Sequence, residues 1–74
     1  MIEDIRKLAH SAPFVPFTIY TADGGAMRVA TTDHIAFPPG GKRILVFSDA
    51  HDYTFIRATL VTRVTIESDS EQAA

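Results

Sequence analysis

Three sets of residues in this chain carry side chains able to do chemistry. Asp49, His51 and Asp52 fall within one turn, and Asp33-His34 within another. Two carboxylates and an imidazole are a donor set for a divalent ion, but neither spacing matches a metal motif, and neighbours on a strand point to opposite faces. Asp stabilises turns by bonding its own backbone, which accounts for both clusters without a metal. Ser11, Ser48 and the histidines are the candidate catalytic groups. No Gly-x-Ser-x-Gly elbow or His-Glu-x-x-His run accompanies them. Pro38-Pro39-Gly40-Gly41-Lys42 has the glycines and the lysine of a phosphate loop, yet its prolines lack N–H donors and no Ser or Thr follows Lys42. We therefore expect no enzyme, no catalytic residue, no metal site and no cofactor.

The third set is basic and aromatic. Lys42 and Arg43 flank the glycine turn, Arg28, Arg57 and Arg63 fall in strand-like runs, and Phe37, Tyr53 and Phe55 could stack bases. Single-stranded nucleic acid is held by that mixture of cation and ring. Lys42, Arg43 and Arg57, with Phe37 or Tyr53 beside them, are the candidate nucleic-acid-binding residues. The competing assignment makes Phe37 and Phe55 core and leaves the arginines solvated.

The totals restrict the partners. With 74 residues, the chain has room for one domain, and a chain this short buries only about 60% of its unfolded surface. It contains no cysteine, so neither disulfides nor thiolate metal ligation can staple it. A tight core and self-association remain, and a homo-oligomer is the expected state. A net charge of −2 with seven Lys and Arg counts against a broad duplex-DNA surface. The N-terminus lacks a signal-like apolar region, and no apolar run approaches the roughly 18 residues of a membrane span. The expectation is a cytoplasmic chain without a membrane partner.

The elements that must position these groups follow from periodicity. Ile2, Ile5, Leu8 and Ala9 recur at helical spacing opposite Glu3, Asp4, Arg6 and Lys7, predicting a short amphipathic helix stopped at Ser11-Ala12-Pro13. Phe14 and Phe17 bracket Pro16 where helix meets sheet. Phe17 and Ile19, then Met27 and Val29, alternate with polar residues about Asp23-Gly24, predicting a hairpin closed by a two-residue type I′ turn. Thr31–Phe37 reads as a bend entering a short strand, and Pro38–Gly41 as a turn. Ile44-Leu45-Val46-Phe47 is apolar throughout, predicting a strand covered on both faces. Tyr53–Ala58 and Leu60–Ile66 alternate with almost no linker, predicting a sharp bend, with Leu60, Val64 and Ile66 inward.

These elements define an α+β chain, mainly β: an N-terminal helix, then about five antiparallel strands as a small SH3- or Sm-like barrel or a curled sheet. Residues 1–67 form the domain, and 68–74 are expected as a disordered acidic tail.

The element order is similar to that of Sm-like proteins, including the bacterial RNA chaperone Hfq. Phe17–Gly24 sits where their first strand and hairpin lie, and Leu60–Val64 where their last strand lies. The family's Asp-Asn has no counterpart, because the chain contains no Asn, and Phe55-Ile56-Arg57-Ala58 occupies the place of the bacterial Tyr-Lys-His. The chain also resembles short uncharacterised bacterial proteins with a Pro-Phe-x-Pro-Phe-x-Ile-x-x-x-Asp-Gly opening, matched by Pro13, Phe14, Pro16, Phe17, Ile19, Asp23 and Gly24. That resemblance implies no activity. Two functions are expected in order: a self-associating, non-enzymatic interaction module, and, as the Sm-like order implies, an oligomeric ring that binds single-stranded RNA.

Overall fold

The structure, a computed structural model, describes residues 1–50 and 52–67; His51 and the expected tail lie outside the described residues. Its first element, α1 (Ile2–Ala9), follows from the apolar spacing: Ile5 and Ala9 are buried, and Ile2 and Leu8 pack at the margin of the core. Glu3 and Asp4 occupy the first turn and Arg6 and Lys7 the last, the order that the helix dipole favours. At its end the Ser11 hydroxyl donates to the Lys7 carbonyl at 2.9 Å, and Phe14 then stacks against Phe17 with centroids 5.8 Å apart.

Strands β1 (Phe17–Thr21) and β2 (Ala26–Val29) form the expected hairpin, pairing Phe17 with Val29 and Ile19 with Met27. The turn differs from the two-residue expectation. The Thr21 N–H donates to the Gly25 carbonyl and the Gly24 N–H to the Thr21 carbonyl, each at 3.0 Å, leaving Ala22, Asp23 and Gly24 as a three-residue loop. Gly24 takes φ +90°, so a single left-handed residue suffices where a type I′ turn needs two. The Asp23 carboxylate locks this loop by accepting from the Thr21 hydroxyl and from the Gly25 N–H.

A 3₁₀ turn (Thr32–His34) leads into β3 (Ile35–Ala36), followed by β4 (Arg43–Phe47), β5 (Tyr53–Arg57), a second 3₁₀ turn (Ala58–Leu60) and β6 (Val61–Ile66). Among the described residues the six strands make two three-stranded antiparallel sheets, ordered β2-β1-β6 and β3-β4-β5, which do not close into a barrel. The fold is α+β and mainly β, with six strands among the described residues where about five were expected. Each 3₁₀ turn carries the chain from one sheet to the other. The first is fastened to the helix by the Thr32 hydroxyl, which donates to the Ala9 carbonyl at 2.7 Å. No helix among the described residues is long and apolar enough to cross a membrane.

Between the sheets and under α1 lies one core: Ile5, Ala9, Phe17, Ile19, Val29, Ile35, Ile44, Val46 and Ile56. Two sequence expectations change here. The apolar run of β4 is covered on one face only, since Ile44 and Val46 are buried while Leu45 and Phe47 lie opposite Phe55 and Tyr53 on the outer side. On β6, Val61 and Val64 pack against the core, whereas Leu60 and Ile66 are exposed. The register of β1 with β6 slips between Tyr20 and Thr21, so Val61 and Val64, three residues apart, both reach the core, while Ile66 ends the strand at its margin.

Candidate interaction surface

The register of β4 with β5 assembles the surface of interest. Phe47 faces Tyr53, Leu45 faces Phe55, and Arg43 faces Arg57, while the intervening Ile44, Val46 and Ile56 turn inward. Period-two alternation places all six outward residues on one sheet face. The rings are in contact: Phe47 and Tyr53 are 6.1 Å apart, and Tyr53 and Phe55 are 6.0 Å apart at 90°. The Arg43 guanidinium carbon stands 5.9 Å from the centre of the Phe55 ring. Tyr53 is 60% and Phe55 56% exposed, large values for aromatic residues in ordered strands.

Beside the rings, Gly41, Lys42, Arg43, Arg57, Ala58 and Thr59 line a cleft of about 610 Å³. Gly40 (φ +106°) and Gly41 (φ +68°) reverse the chain there, and the Ala58 N–H donates to the Lys42 carbonyl at 2.9 Å. Lys42 and Arg43 are thus held against Arg57. Among the described residues the carboxylate ion pairs are Arg6–Glu3, Arg28–Glu67 and His34–Asp49, and none of them involves these cations. Arg43 and Arg57 face each other as like charges, an arrangement that disfavours the fold and favours a bound anion.

Of the sequence candidates, Lys42, Arg43 and Arg57 converge on this cleft, and Tyr53 lies on the same sheet face. Phe37 does not. It is half-buried against the core, two residues beyond inward-facing Ile35, with the Arg6 guanidinium carbon 5.2 Å from its ring centre and His10 at 6.3 Å. Phe47 and Thr59, which were not among the candidates, complete the surface together with Phe55, which the sequence reading named for base stacking but left out of the candidate set. For Phe55, its alternation with Tyr53 and Arg57 was the available signal.

The second polar constellation is rearranged by the fold. The His34 Nε2 lies 2.8 Å from Asp49 Oδ1, and its Nδ1 lies 2.7 Å from the Thr31 hydroxyl oxygen. Asp52 instead accepts from the Ser48 hydroxyl. The Asp33-His34 and Asp49–Asp52 clusters are therefore joined through one imidazole. No group of three or more His, Cys, Asp or Glu able to hold a metal occurs among the described residues. Hydroxyl, imidazole and carboxylate form one chain of contacts, and the Thr31 oxygen also accepts the Asp33 N–H at 3.1 Å as the cap of the 3₁₀ turn. The string braces that turn against the β4–β5 loop.

Two carboxyl groups are held below their ordinary range. Hydrogen bonds from the Thr21 hydroxyl and the Gly25 N–H lower the Asp23 pKa. The Arg28 guanidinium lowers that of Glu67 by hydrogen bonding, and Glu67 in turn raises that of Arg28. Both ties belong to the β2-β1-β6 sheet and its hairpin, and the Asp23 loop lines a small pocket with Thr54, Phe55 and Ile56 of the other sheet.

Scans against protein-family models, curated proteins and solved structures returned no match.

Proposed function

We propose that the chain is a non-enzymatic interaction module that associates with copies of itself through the open edge of its β3-β4-β5 sheet. One observation carries this reading: among the described residues β5 bonds to β4 on one side only, and it bears Tyr53 and Phe55 exposed on its outer face. An open strand presents unpaired N–H and C=O groups that template another strand, and proteins that stay monomeric protect such edges with charge, proline or a covering element. Tyr53-Thr54-Phe55 carries neither charge nor proline, and the β1–β2 loop stands across a pocket of about 130 Å³ from it. A small core without covalent staples adds to the case, because assembly buries further apolar surface. Sedimentation velocity from low to high micromolar concentration tests it: the expected mass exceeds the 8.1 kDa of one chain, and a monomer throughout overturns the reading.

A second reading is supported by the cleft. Lys42, Arg43 and Arg57, without carboxylate partners among the described residues and on the same strands as Tyr53 and Phe55, suit the phosphates and bases of single-stranded RNA, the function that the Sm-like order of elements implies. Fluorescence anisotropy with labelled oligo-U and oligo-A is the assay. Binding that weakens steeply with salt supports the reading, and no binding at low salt ends it.

A further inference from the structure

The open edge of β5 has a hydrogen-bonding parity that can be derived. The Ala58 N–H donates to the Lys42 carbonyl, and the Ser48 N–H to the Asp52 carbonyl at 3.0 Å. Both pairs belong to the register that matches Arg43 with Arg57 and Phe47 with Tyr53. Bonded and non-bonded pairs alternate along an antiparallel ladder, so Ile44–Ile56 and Val46–Thr54 are also bonded pairs. The backbone N–H and C=O groups of Tyr53, Phe55 and Arg57 consequently point away from β4, toward the open side. These are also the residues whose side chains occupy the outer face.

Charge along the β4–β5 hairpin is polarised. Asp49 and Asp52 stand at the turn end, and Lys42, Arg43 and Arg57 at the other. A second hairpin laid antiparallel beside the first sets each acidic end against a basic end. A parallel arrangement sets like ends together. Pairing β5 antiparallel with β6 of another copy is also less favourable, because it brings the Asp52 end toward Glu67.

Resting on the self-association reading above, we propose that two copies pair β5 with β5 antiparallel about a two-fold axis at Phe55, making one six-stranded sheet. Phe55 faces Phe55 of the second copy and exchanges both backbone hydrogen bonds with it. Tyr53 faces Arg57 of the second copy, placing a guanidinium by an aromatic ring, and the interface closes after two chains. The aromatic rows of the two copies join across the axis, and the cation clefts remain at either side of it.

A single introduced cysteine tests this register, because the chain has no other thiol. Bonded antiparallel partners have Cα atoms about 5.5 Å apart, within reach of a disulfide. Phe55→Cys is expected to give a covalent dimer on mild oxidation, while Val64→Cys, on the edge strand β6 of the other sheet, stays uncross-linked. Phe55→Pro removes the outward N–H without touching a bond to β4, and is expected to weaken association about tenfold or more. If the unsubstituted chain sediments as a dimer or larger while Phe55→Cys fails to cross-link, or cross-links only when mixed with Val64→Cys, the register falls and self-association stands. If the unsubstituted chain is a monomer throughout, both fall. Undiminished association of a folded Phe55→Pro also overturns the register, and if that variant does not fold the cysteine pair decides alone.

Discussion

Replacing Arg57 with glutamate should stabilise the isolated fold. Arg43 and Arg57 are direct partners on β4 and β5, at a non-bonded position where Cα atoms approach to about 4.5 Å. Two guanidinium charges about 6 Å apart in solvent of dielectric near 80 repel by about 0.7 kcal/mol. Glutamate removes that repulsion and adds an attraction of similar size, and screening at moderate salt leaves a net gain of about 1 kcal/mol, in line with cross-strand charge pairs. In a domain of this size such a gain raises the melting temperature by about 4–8 °C. The assay is thermal unfolding by circular dichroism in low salt, run at two protein concentrations so that altered association is distinguished from altered folding. Arg57→Gln, which only removes repulsion, should give about half the increase. In 1 M salt, where the screening length is about 3 Å, the gain of the glutamate variant should shrink toward zero. A melting temperature that falls, or rises equally for Gln and Glu regardless of salt, refutes the electrostatic account of this cleft. On the RNA reading, the same substitution weakens oligonucleotide binding.

Gly24→Ala should cost about 1–2 kcal/mol in urea denaturation, because φ at that position is +90° and an L side chain there is strained even though no atom crowds it; an unchanged midpoint would sink the loop assignment. Acid should also destabilise the chain. Asp23 and Glu67 titrate in the fold below their ordinary values, so the unfolded chain binds protons first, and their stabilisation is present above about pH 5 and lost as pH falls through the folded pKa values. A urea midpoint that is flat from pH 7 to 5 and then declines is expected, with a smaller decline for Asp23→Asn; a midpoint that rises on acidification contradicts the sign.

Much of this architecture could be read from alternation alone. Phe17, Ile19, Met27 and Val29 all sit at odd positions, so both arms of the hairpin can share a face only if the loop holds an odd number of residues. That parity already conflicted with a two-residue turn, and Gly24 resolves it as one left-handed residue after Ala22-Asp23. On β6 the same reasoning failed, because the slip opposite Thr21 leaves no mark in a run of Thr and Val. Phe37 follows a strand of only two residues, too short for its alternation to establish a face. The cation cleft was legible as composition but not as a place: Lys42 and Arg43 meet Arg57 only through the ladder between β4 and β5. The His34–Asp49 contact joins residues 15 apart, and a sequence that groups Asp49 with its neighbour Asp52 offers no hint of it.

In the β2-β1-β6 sheet, the central strand is flanked on one side by its immediate successor and on the other by the last of the described strands, so Phe17 lies beside Ile66. Almost the whole described polypeptide must be present before that seam can close. Until then, one flank of β1 is an unclaimed ribbon edge next to residues destined for the interior. Folding that waits on so distant a contact is slowed by the entropy of closing a long loop, and the early hairpin stays adhesive for as long as the wait lasts.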